Sequence, residues 1–107
     1  MTNYDLYGFS GNCLSEARDL LCSLLNINFH ERDGTYQGGI YFLSGDRRHE
    51  HFMLKENVDP FDDSPEEVEF SDYRYLLYVN NTSRPLELRA NILSSDKFIL
   101  LRRESLR

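Results

Sequence analysis

Between Cys13 and Leu25 the apolar residues Leu14, Ala17, Leu21, Leu24 and Leu25 recur at the spacing of one helix face. Leu20 widens the stripe, and Ser15, Glu16, Arg18, Asp19 and Ser23 are left for water. A stripe this wide is stable only against a partner layer. The other apolar residues come in runs of strand length, so the partner is a sheet. Tyr4-Asp5-Leu6-Tyr7-Gly8-Phe9 alternates as a first strand closed by Ser10-Gly11-Asn12. Asn12 is the expected N-cap of the helix, and Asn26 the left-handed residue that ends it.

Beyond the helix, Ile27-Asn28-Phe29-His30-Glu31 alternates as a second strand. Asp33-Gly34 signals a turn, and Gly38-Gly39 leads into a strand over Ile40–Leu43. Ser44-Gly45-Asp46 turns the chain into a hairpin with His51–Lys55. Tyr75-Leu76-Leu77-Tyr78-Val79 is the most apolar run and is expected at the centre of the sheet. Thr82 or Ser83 is expected to cap a second helix with Pro85 in its first turn, burying Leu86, Ala90 and Leu93. Asn80-Asn81-Thr82 reads as the turn before that helix. Phe98–Leu101 forms the last strand. This order, βαβββ-loop-βαβ, predicts one α+β domain over residues 1–107. The expected form is a two-layer sandwich in a ferredoxin-like arrangement, a mostly antiparallel sheet of about five to six strands with two helices on one face.

Charge is unevenly placed. Eighteen acids against twelve bases give a net charge of -6, yet Glu56 to Asp72 holds eight acids and no Lys or Arg. This segment carries -8, and the rest of the chain sums to 12 - 10 = +2. Such a balance argues against direct binding of nucleic acid or an anionic membrane, and a local patch of one sign steers a partner of the other. The segment also contains Pro60 and Pro65 and has no periodicity, so it is read as a long surface connection, with a short helical turn near Pro65-Glu66-Glu67. The bland alternative is a solvated loop.

Signatures of catalysis are missing. Nucleophile-elbow, P-loop, HExxH and dinucleotide spacings do not occur. Cys13 and Cys22 lie about two and a half turns apart on one helix, hence on opposite faces, and are expected as free thiols with Cys22 against the core. In a strand His49 and His51 would share a face with Glu50 on the other, and His30 could add a third ligand only from an adjacent strand. Neither a metal nor a cofactor is therefore expected. No run of about 20 apolar residues is present, and the N-terminus lacks a signal-peptide pattern, so a cytoplasmic protein is expected.

Three segments, Arg32-Asp33-Gly34-Thr35-Tyr36-Gln37-Gly38-Gly39-Ile40-Tyr41-Phe42, Leu76-Leu77-Tyr78-Val79-Asn80-Asn81-Thr82 and Leu100-Leu101-Arg102-Arg103-Glu104, resemble small immunity proteins of bacterial contact-dependent growth inhibition and related polymorphic toxin systems. The resemblance covers the general layout of nearly the whole chain and implies a non-enzymatic inhibitor of a cognate toxin C-terminal domain, a nuclease in many such systems.

The residues give this implication a physical form. A nuclease cleft is rich in bases, and carboxylates can occupy it in place of phosphate. Candidate toxin-binding residues are Asp59, Phe61, Asp62, Asp63, Glu66, Glu67, Glu69 and Asp72, with Tyr36 a second contact or a turn-packing residue. Phe61 is either an anchor or packing, whereas Phe70 and Tyr73, next to a strand, are read as packing under the loop. A basic nuclease, an RNase foremost, and a monomer in a 1:1 complex are expected. The alternative is a regulatory α+β domain that binds a small molecule; an enzyme using His49, His51 and Glu50 or Glu31 is a third reading.

Overall fold

The computed structural model describes residues 2–34 and 39–106. Its elements are β1 (Thr2–Phe9), α1 (Leu14–Leu25), β2 (His30–Gly34), β3 (Gly39–Gly45), β4 (His51–Glu56), β5 (Tyr75–Thr82), α2 (Pro85–Ile92) and β6 (Phe98–Leu106). The fold is α+β, with one six-stranded sheet in the order β2-β3-β4-β5-β1-β6. Every neighbouring pair is antiparallel. Tyr75–Val79 falls inside the sheet as its apolarity requires, with β4 and β1 on either side.

Strand alternation gives the sheet two faces. Tyr7, Phe9, Phe42, Phe52, Leu54, Leu77 and Val79 share one core cluster with Ala17 and Leu21 of α1 and Leu88 and Ile92 of α2. The two helices touch each other, and α1 also packs on β4. Across the sheet from this core, Met53, Tyr78, Leu6 and Arg102 stand opposite one another in register on β4, β5, β1 and β6.

Several boundaries differ from those the sequence suggests. Helix α1 starts at Leu14, with Cys13 rather than Asn12 at its N-cap and no side-chain cap bond. Glu16 instead reaches back to accept a hydrogen bond from the Asn12 backbone N–H, at 3.0 Å. Asn26 does end the helix in the left-handed region, with φ 54°. The second strand begins at His30, not Ile27: Ile27 and Phe29 pack on the core before the chain enters the sheet, so their alternation reported burial and not pairing. The strand itself is an edge whose exposed His30, Glu31, Arg32 and Asp33 discourage further pairing.

Asn80-Asn81-Thr82 closes β5 instead of forming a separate turn. Asn81 takes φ 57° beside an irregularity in the β1–β5 register, which accommodates a turn-forming residue within a strand. In α2 the buried face is Leu88 and Ile92, not Leu86 and Ala90; Leu86 is 68% exposed. Position N-cap of α2 is Arg84, whose backbone N–H donates to the Thr82 hydroxyl. Among the described residues no helix is long and apolar enough to cross a membrane.

Candidate functional site

The acidic segment leaves the sheet after β4 and returns to it at β5. Its two ends are tied by a hydrogen bond from the Asn57 N–H to the Arg74 carbonyl at 2.8 Å. Asn57, 7% exposed, is the organising side chain. Its Oδ1 accepts from the Glu67 N–H at 2.8 Å, and its Nδ2 donates to the Phe70 and Tyr73 carbonyls at 3.1 Å each. An amide suits this place because it supplies donor and acceptor together. The expected helical turn lies a little later, as a 3-10 turn over Val68–Phe70.

Two carboxylates of the segment face inward onto the sheet. Glu66 Oε2 meets the Lys55 ammonium at 2.6 Å, and Lys55 is 1% exposed. Glu67 takes a forked pair of bonds from Arg102, at 2.9 and 3.3 Å, and the Tyr78 hydroxyl donates to it at 2.7 Å. The Arg102 guanidinium holds the Glu67 carboxyl below the ordinary carboxylate range, helped by the Tyr78 hydrogen bond and opposed by burial. Tyr78 is pushed far up, first by burial and then by its donation to Glu67. Tyr73 closes the same face by lying over Gly8, where a Cβ would stand 2.5 Å from its ring. Gly8 is the close-approach position that lets the segment settle on β1.

Of the other carboxylates, Asp62, Asp63, Glu69 and Asp72 are exposed and Asp59 is half-buried. Asp59, Asp62, Asp63, Glu69 and Asp72 form no ion pair among the described residues. The turn around them is nonetheless built: Asp59 Oδ1 accepts from the Phe61 N–H at 2.8 Å, and Asp62 Oδ1 from the Ser64 N–H and hydroxyl at 3.1 and 2.6 Å. These Ser64 hydrogen bonds lower the Asp62 pKa. Among these carboxylates Phe61 is 77% exposed and Val68 72% exposed. Phe70 and Tyr73 are half-buried beneath.

The candidate residues therefore divide into Glu66 and Glu67, which fasten the segment down, and Asp59, Phe61, Asp62, Asp63, Glu69 and Asp72, which it displays. Tyr36 lies outside the described residues. Sequence reasoning missed Val68 in the displayed group and Asn57, Lys55, Tyr78 and Arg102 in the anchoring group. Lys55 did carry a signal, since alternation puts this lone base on the same strand face as Met53.

Beside the anchors lies an open cleft of about 310 Å³ lined by Met53, Lys55, Glu66, Glu67, Tyr78 and Asn80. A smaller one of about 120 Å³ adjoins it across Tyr78 and Asn80, reaching Tyr4, Leu6, Arg102 and Glu104. His51 donates through Nδ1 to the His49 carbonyl at 2.9 Å, which leaves Nε2 as acceptor for Asn80 Nδ2 at 3.3 Å.

The polar residues considered for metal or acid-base chemistry are spread apart. His49 sits in the β3–β4 turn rather than on a strand, and β2, which carries His30, is separated from β4 by β3. Glu50 is held by Arg84 and the Thr82 hydroxyl, and the Arg84 hydrogen bonds lower its pKa. Among the described residues no three His, Cys, Asp or Glu side chains are grouped to hold a metal ion. Cys13 is exposed and Cys22 half-buried, both free thiols. No protein-family model, curated protein or solved structure matches the chain.

Proposed function

We propose that this chain is a non-enzymatic binding protein that neutralises a basic protein partner, in the manner of a contact-dependent inhibition immunity protein and its cognate toxin C-terminal domain. The partner class is a basic nuclease, an RNase foremost, met in the cytosol as a 1:1 complex with the monomer. One observation carries this reading: Phe61 and Val68 stand exposed among carboxylates that have no internal counter-charge, on a segment whose own anchors are already made. Exposed apolar anchors ringed by unpaired charge of one sign are the composition of a docking surface for a partner of opposite sign. A pre-ordered segment also avoids the ordering cost that a disordered loop would bring to binding.

The architecture is read in the same spirit. With the β2–β3 hairpin set aside, the order β6-β1-β5-β4 suits a ferredoxin-like arrangement of two strand-helix-strand units. Both helices on the face opposite the acidic segment would make two layers and leave the other face for binding.

Calorimetry of the purified chain with the toxin domain encoded immediately upstream of its gene, at low and at high salt, tests the function. Nanomolar binding that weakens by about 10-fold or more with salt is expected. Absence of binding at either salt overturns the proposal. Charge reversal at Asp59, Asp62, Asp63, Glu69 and Asp72 should abolish the salt dependence while leaving the anchors at Glu66 and Glu67 intact.

A further inference from the structure

We infer that the cleft between the acidic segment and β5 is the seat of one arginine side chain of the partner, an inference that rests on the basic-partner reading above. The chemistry follows from which groups the fold has already used. Arg102 donates through Nη1 and Nη2 to Glu67, at 2.9 and 3.3 Å, and its Nε stands 3.3 Å from Glu104. Tyr78 gives its proton to Glu67, and Asn80 gives one of its two amide N–H groups to His51. Glu66 uses Oε2 on Lys55. Glu66 Oε1 and Asn80 Oδ1 accept no hydrogen bond among the described residues. The cleft thus keeps acceptors, while the Tyr78 proton and one N–H each of Arg102 Nη1, Arg102 Nη2 and Asn80 Nδ2 are already engaged.

Charge points the same way. Asp5, Glu66, Glu67 and Glu104 against Lys55 and Arg102 leave the lining of the two adjoining hollows two units negative, one of them matched by Arg103 behind Asp5. The volume of about 310 Å³ lies at the lower limit for small-molecule sites and suits a single long side chain. Arginine fits better than lysine because its planar fork reaches separated acceptors at once, and because its weakly hydrated plane stacks on an aromatic ring and a thioether, here Tyr78 and Met53.

The test is an amide-resolved NMR titration of the full chain with N-acetyl-argininamide, beside N-acetyl-citrullinamide, which has nearly the same shape without the charge. Saturable shifts at the amides of Met53, Tyr78 and Asn80 with the arginine probe, absent with the citrulline probe, are expected. Met53→Glu should tighten the arginine probe by about three- to ten-fold, and Met53→Lys should remove its response. Equal responses to both probes, or arginine shifts confined to residues 59–63, overturn the inference; this contrast needs no variant to fold. Failure of the two proposals is separable. A salt-dependent toxin complex with no arginine response at the cleft sinks the cleft alone, whereas a mapped arginine site in a chain that binds no basic protein sinks the function alone.

Discussion

Tyr7 carries its hydroxyl into the helix-facing core, where it finds no hydrogen-bond partner among the described residues. Burial, with the Asp5 charge adding, pushes its pKa up to about 12 from an ordinary 10.0. Between those two values the unfolded phenol has lost its proton while the folded one keeps it, so stability falls as pH rises across that interval. Tyr7→Phe removes an unsatisfied group, and is expected to be neutral or up to about 1 kcal/mol stabilising at neutral pH. It should also flatten the alkaline fall in urea melts taken between about pH 9 and 12. Asp5, 2% exposed, is instead fully met, by a two-pronged bond from Arg103 at 2.9 Å on each oxygen. Arg103→Ala strands that carboxylate in the core, and is expected to cost about 3–5 kcal/mol in the same assay. The paired change Asp5→Leu with Arg103→Met should cost far less, which would separate the stranded charge from lost packing.

At the scale of elements, the acidic segment behaves as a strap with two fastenings, the Asn57 amide and the inward pair Glu66 and Glu67. Asn57→Ala removes the first without touching a charge. Amide exchange at Glu67, Phe70 and Tyr73 should rise, and partner affinity should drop through the added ordering cost while its salt dependence stays unchanged. A parallel loss of salt dependence would mean that the strap's position, and not its order, sets the interaction. Acid should loosen the second fastening. The folded Glu67 pKa lies below its unfolded one, so the stability it contributes is present above about pH 4.5 and is lost as pH falls through the folded value. Exchange at the Glu67 amide should report that loss, and Arg102→Met should diminish it.

Legibility in the sequence followed the strength of the local pattern. Helix α1 was readable because five apolar residues agree on one face, and β5 because its apolar run has no competing period. Helix α2 misled because Leu86 with Ala90 and Leu88 with Ile92 are both i, i+4 pairs, and eight residues are too few to choose between them. Outward carboxylates were legible as charge, but the inward turn of Glu66 and Glu67 depends on Lys55 and Arg102, 11 and 35 positions away from them respectively. No local pattern encodes such a pairing.

Taken as a whole molecule, the chain as proposed above would separate long-range attraction from short-range holding. Two of the segment's eight acids are neutralised internally, at Glu66 and Glu67; the other six, Glu56 included, form no ion pair among the described residues. In the proposed complex, charges of this kind would act on an approaching partner over roughly a Debye length, about 8 Å at physiological salt, and would govern the rate of encounter. In the same proposed complex Phe61 and Val68 would act only once water has been expelled from around them, and would govern the rate of escape. Stopped-flow kinetics with the proposed toxin domain should resolve the two. Reversing Asp59, Asp62 and Asp63 is expected to slow association by about 10-fold or more at low salt and to matter little at high salt, with dissociation nearly unchanged. Alanine at both Phe61 and Val68 is expected to leave association within about threefold and to speed dissociation by about 10- to 100-fold at every salt concentration. If the charge reversals instead altered dissociation alone, the acids would be desolvated inside the interface and not steering from its rim. The docking surface would then have to include the turn at residues 59–63 as a buried centre.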